Sequence, residues 1–92
     1  MSNVRQFVKD RDAMLEKRSV DALIDFMENS GYYDKELAET FKKANDTTKM
    51  LTLCKMITEC KGVSRQTKKW AERWCYANGF NPHITYLQKN NL

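Results

Sequence analysis

Glycine and proline divide this chain into short segments. Gly31, Gly62, Gly79 and Pro82 each stand where a helix-period pattern of apolar residues stops or starts. Glycine after a helix takes the left-handed backbone conformation at little cost, and proline fits the first turn of a helix. Because the chain has only three glycines and one proline, the pattern predicts short helices rather than a turn-rich β fold.

Residues that can cap a helix precede these segments. They are Ser2 or Asn3, Ser19, Asp34, Asp46, Ser64 and Asn81. Together with the apolar periodicity they predict an all-α protein, a compact bundle of five to six short helices. The predicted ranges are about 3–17, 19–30, 34–44, 46–61, 64–77 and 82–89. A chain of 92 residues forms one domain, so residues 1–92 are a single helical unit with 90–92 as a frayed tail.

Helical spacing also predicts which faces are buried. The fourth helix is apolar around much of its circumference, which is typical of a central helix. In the third helix the buried face is expected at Leu37, Ala38 and Phe41. The fifth helix is expected to bury Thr67, Trp70, Ala71, Trp74 and Ala77 and to expose cations opposite them.

A helix–glycine–aromatic–helix pattern occurs twice. Gly31-Tyr32 and Gly79-Phe80 are 48 positions apart, which aligns 26–41 with 74–89. Tyr32 is expected to fold back on Met27. The pattern indicates either a duplicated helical hairpin or two helices ended by the same common motif.

Composition and charge indicate in which cellular compartment the protein is expected. Apolar residues make up 41% of the chain, enough for a core, while charges interrupt the first twenty residues and no stretch suits a membrane span. Three cysteines are an odd number, which argues against a disulfide framework. We therefore expect a cytoplasmic protein that does not enter membranes.

The residues that could carry chemistry are few. Cys54 and Cys60 point about 240° apart on one helix, and His83 is the one histidine. A glycine-rich phosphate loop is absent from the sequence. We expect no metal, no cofactor and no enzymatic activity; a cysteine nucleophile with His83 as base is the catalytic alternative.

Charge is distributed unevenly along the chain. Residues 1–46 carry eight Lys/Arg and ten Asp/Glu, a net of −2, whereas residues 47–92 carry eight and two, a net of +6. An acidic partner is expected to dock on the second half. The cations nearest one another are Lys61, Arg65, Lys68, Lys69 and Arg73.

The segment 53–74 resembles the two-helix unit of helix-turn-helix DNA-binding domains, with Gly62-Val63-Ser64-Arg65-Gln66-Thr67 similar to the turn and early recognition helix. The resemblance implies that Arg65 and Gln66 face bases and that Thr67 and Lys69 reach bases or phosphates. Lys61 and Lys68 stand where that family usually has apolar residues.

Two functions are therefore predicted. The first is a non-enzymatic nucleic-acid-binding module, for DNA rather than RNA, that uses Lys61, Arg65, Gln66, Lys68, Lys69 and Arg73. The alternative is a protein-interaction module, an adaptor or small inhibitor that docks on a larger protein, at an acidic or nucleic-acid-facing surface. A homodimer is a further expected partner state. The candidate contacts of the interaction module are Phe26, Tyr33, Met56 and Tyr76, which lie off the predicted apolar stripes.

Overall fold

A computed structural model of the protein describes residues 3–83, and within that range it has five helices and no strand. These are α1 (Asn3–Leu15), α2 (Val20–Asn29), α3 (Lys35–Lys43), α4 (Asp46–Glu59) and α5 (Arg65–Ala77). The predicted all-α bundle is confirmed, and each of these helices ends within two residues of its expected bounds. Of the sixth predicted helix, Pro82 and His83 form a turn, and 84–89 lie outside the described residues, as does the tail 90–92.

The helix starts follow local hydrogen bonding. Ser19, Asp34 and Ser64 each accept a bond from a backbone N–H in the first turn of α2, α3 and α5. The prediction for α4 was wrong by one residue, because Asn45 caps this helix by accepting from the backbone N–H of Thr48 at 2.8 Å. Asp46 instead lies in the first turn, where its charge suits the helix dipole.

The two helix–glycine–aromatic endings share the backbone conformation of their glycines. Gly31 and Gly79 adopt left-handed backbone angles, with φ of 83° and 82°. Each following aromatic packs on the aromatic six residues before it: Tyr32 on Phe26 at 5.9 Å and Phe80 on Trp74 at 6.1 Å between ring centroids. The second helix of the proposed 74–89 unit lies outside the described residues, so the duplication stays a prediction.

Helix α4 is central, as its apolar circumference predicted. Leu53, Cys54 and Ile57 are completely buried, and α5, α2 and α1 all pack on this helix. Cys54 contacts Cys75 of α5, and burial raises the pKa of the Cys54 thiol to about 12. The thiols of Cys54, Cys60 and Cys75 are all unbridged.

Two predicted faces, those of α3 and α5, need correction. Leu37 was expected in the core, but its side chain is 49% exposed and Ala38 is the buried residue of α3. In α5, Cys75 is buried and Ala77 is exposed, while Trp70 and Trp74 are only partly buried. The small side chains of Ala71 and Cys75 hold α5 against α4, because they let two helix axes approach closely.

Candidate nucleic-acid interface

The turn before α5 lies against the end of α1. Gly62 adopts no left-handed angle, yet a Cβ at this position would collide with the carboxylate of Asp12. Val63 follows and is buried. An alanine at position 62 would therefore have to displace the Asp12 side chain or the turn, so the absence of a side chain lets this turn approach α1 closely.

A carboxylate just after the end of α1 caps the N-terminus of α5. Glu16 accepts hydrogen bonds from the backbone N–H and the hydroxyl of Ser64, the latter at 2.9 Å, and from the hydroxyl of Thr67. The hydroxyl of Thr67, and then the backbone N–H of Ser64, hold the pKa of Glu16 below its usual value. Negative charge is favoured at this position because the helix dipole is positive there.

Arg18 adds a second connection from the α1–α2 loop. Its Nε donates to the hydroxyl of Thr67 at 3.2 Å, and its guanidinium lies 5.8 Å from the centroid of the Trp70 ring. Arg18 has a φ of 52°, which is uncommon for a residue other than glycine. With Ala71 and Cys75 packed on α4, the bonds of Glu16 and Arg18 to Thr67 fix the rotation of α5 about its own axis, and so determine which side chains face outward.

That rotation divides α5 into a buried and an exposed side. Thr67, Ala71 and Cys75 are buried and repeat every four residues. At about 100° per residue, five side chains lie on the opposite side of the helix, within an arc of about 100° around its axis. This exposed face consists of Arg65, Gln66, Lys69, Arg73 and Tyr76, all of which are solvent-exposed.

Most of the predicted nucleic-acid-binding residues lie on or beside this face. Arg65, Gln66, Lys69 and Arg73 belong to it, and Lys61 is exposed in the preceding turn. Lys68 lies apart, half-buried at the edge of α5, where its charge acts on the thiol of Cys60. The expectation that Thr67 reaches bases or phosphates is wrong, because its side chain is 1% exposed and bonded to Glu16.

The exposed face has little competing negative charge. Glu72 is the one carboxylate of α5, and its Oε2 lies 3.1 Å from Nε2 of His83. Among residues 3–83, none of Arg65, Lys69 and Arg73 has an ion-pair partner within 4.0 Å. These three cations are therefore available to an external anion.

A second candidate surface does not involve α5. An apolar groove of about 360 Å³ opens between α2, α3 and α4, and its walls include Tyr33, Leu37, Phe41 and Met56. Tyr33 and Met56, two candidates of the protein-interaction hypothesis, both lie at this groove, but each is half-buried and packed against the core, whereas the hypothesis expected exposed side chains. Phe26 and Tyr76 are not part of this groove.

Phe26 belongs to a separate cluster of aromatic side chains. Its ring packs with those of Phe7, Tyr32 and Tyr33, at centroid distances of 5.9 to 6.3 Å. Phe26 is half-buried in this cluster, which joins α1 to α2 and to the loop that follows. These intramolecular contacts account for the position of Phe26. Tyr76, in contrast, is 56% exposed on α5.

Sequence reasoning missed Glu16 and Arg18. Glu16 is 48 residues from Ser64, and Arg18 is 49 residues from Thr67. Capping signals are read within four residues of a helix start, so nothing near Ser64 indicates a carboxylate from α1.

The chain matches no protein-family model, no curated protein and no solved structure. Across residues 3–83, no group of three or more His, Cys, Asp or Glu side chains is arranged to hold a metal ion. In the same range, no helix combines the length and apolar character that crossing a membrane requires.

Proposed function

We propose that the protein binds nucleic acid through the exposed face of α5 and has no enzymatic role. The observation that carries this proposal is the alignment of Arg65, Lys69 and Arg73 on one side of a well-anchored helix, exposed and without ion-pair partners among the described residues. Cations so placed can neutralise successive phosphates and release the counterions that surround them. Lys61 extends the row toward α4.

The resemblance to helix-turn-helix domains supports part of this proposal. Ile57, Val63 and Ala71 are buried between α4 and α5, and Arg65 and Gln66 point outward from the first turn of α5. Arg and Gln are residue types that pair with guanine and adenine edges. The preference for DNA over RNA rests on this resemblance alone.

The proposal is tested by binding measured at two salt concentrations. Changing Arg65, Lys69 and Arg73 together to alanine should abolish retention of fluorescein-labelled DNA at about 50 mM salt. In the parent protein, affinity should fall steeply toward about 200 mM salt, since each neutralised phosphate adds to the slope. Lys68 is left unchanged because it is half-buried.

A charge-matched control distinguishes binding by the exposed face of α5 from a general effect of net charge. Lys9, Lys35 and Lys43 are exposed on α1 and α3, and changing all three to alanine removes the same charge. This control should bind as the parent does, and circular dichroism should show unchanged helicity in both variants. Equal binding by the α5 variant and the parent would refute the proposal.

The apolar groove favours a second candidate function, a protein-interaction module. Leu37 is 49% exposed at its edge, an unusual position for a large apolar side chain on an amphipathic helix. Leu37→Asp should remove partners captured from cell lysate that persist after nuclease treatment. If every captured partner disappears with nuclease, the nucleic-acid function is favoured; if Leu37→Asp changes nothing, the groove is not the docking surface.

A further inference from the structure

Tyr76 is the aromatic member of the exposed face of α5. Its side chain is 56% exposed, whereas most large apolar side chains of residues 3–83 are buried or half-buried. Projected along the helix axis, Tyr76 lies between Arg65 and Lys69. Arg73, three residues earlier, is its neighbour on the helix surface. A ring in this position lies at the C-terminal end of the row of cations.

Tyr76 lies at the C-terminal end of α5, and this position limits which ligand groups its side chain can contact. The C-terminus of a helix carries partial negative charge, so a phosphate is disfavoured there. An aromatic ring, by contrast, can stack on the flat face of a base. The face therefore offers phosphate contacts along its N-terminal and middle turns and a stacking contact at its last turn.

Base faces are available only in unpaired nucleic acid. Inside a duplex each base is covered by its neighbours, and a protein meets phosphates and the edges of bases. In single strands the bases can be splayed out and stacked on Phe, Tyr, Trp or His. An exposed tyrosine beside a row of cations is therefore suited to a single strand and finds no base face on a duplex.

We propose that the exposed face of α5 binds single-stranded nucleic acid, with phosphates along Arg65, Lys69 and Arg73 and one unpaired base stacked on Tyr76. This inference rests on the proposed function and specifies its ligand. The binding is tolerant of sequence, because every base has a face that can stack.

Fluorescence anisotropy with a single strand of about twelve nucleotides and with its duplex tests the inference. The single strand should bind more tightly than the duplex. Tyr76→Ala should weaken single-strand binding about 10-fold and leave duplex binding unchanged, while Tyr76→Phe keeps the ring and should bind as the parent does. Because Tyr76 is exposed, circular dichroism should show both variants folded.

The two proposals fail in different ways. If the duplex binds as tightly as the single strand, or if Tyr76→Ala has no effect, the stacking inference is wrong; loss of binding on changing the three cations would still support the proposed function. If changing Arg65, Lys69 and Arg73 leaves single-strand binding intact, both are wrong.

Discussion

Glu16 joins two distant parts of the chain through a single carboxylate. It accepts from the Ser64 backbone N–H and from the hydroxyls of Ser64 and Thr67. These bonds favour its ionised form, so its pKa in the folded protein is lowered relative to the unfolded chain. The resulting stabilisation is present above the usual carboxyl pKa and is lost as the pH falls through the lowered folded-state value.

Glu16→Gln should therefore lower the melting temperature near pH 7. It should also make the melting temperature less dependent on pH in the acidic range. The parent should lose more stability than the variant between about pH 6 and about pH 3, because only the parent has this carboxylate to protonate. Thermal unfolding followed by circular dichroism measures both effects. Glu36→Gln, an exposed carboxylate on α3, is the matched control, and equal acid sensitivity of the parent and Glu16→Gln would contradict the assignment.

At the scale of elements, the junction between α1 and the α4–α5 turn depends on the absence of a side chain at Gly62. A Cβ at Gly62 would meet the Asp12 carboxylate, which also pairs with Arg11 at 3.0 Å. Gly62→Ala must displace Asp12 or the turn, and overpacking of this kind costs about 1–3 kcal/mol.

A double-mutant cycle separates this collision from any backbone effect. In an Asp12→Ala background the obstructing carboxylate is absent, so Gly62→Ala should cost less than it does in the parent. The free energy of unfolding in urea gives the difference. If Gly62→Ala is equally costly in both backgrounds, the collision is not its cause.

Helix starts and ends were largely predictable from sequence, because neighbours within four residues decide them. Ser19, Asp34 and Ser64 cap as expected, and Gly31 and Gly79 end their helices. The choice of Asn45 over Asp46 was not predictable, since either side chain can cap and the two are adjacent.

Burial and the candidate site were less predictable, because distant neighbours determine them. The exposed cations of α5 followed from helical spacing, but the burial of Thr67 depends on Glu16 and Arg18. The burial of Cys75 depends on the proximity of α4, and the exposure of Leu37 reflects an open groove beside α3. No local pattern encodes these contacts.

For the whole molecule, the helices differ in how firmly they are held. Helix α3 packs mainly on α2 and buries only Ala38, whereas α4 buries Leu53, Cys54 and Ile57 against several helices. Backbone amides of α3 should therefore exchange with solvent deuterium before those of α4, as measured by mass spectrometry of peptide fragments. Uniform exchange across both helices would show that the bundle opens as one unit.

The packing of α5 on α4 also has a consequence for synthesis on the ribosome. The first four helices emerge before α5, so the side of α4 that Ala71 and Cys75 later cover is still open to water. A nascent chain halted before Arg65 would present this apolar surface to chaperones. Because α5 both covers this side of α4 and carries the exposed cations, the burial of the α4 surface and the presentation of the proposed binding face occur at the same step of production.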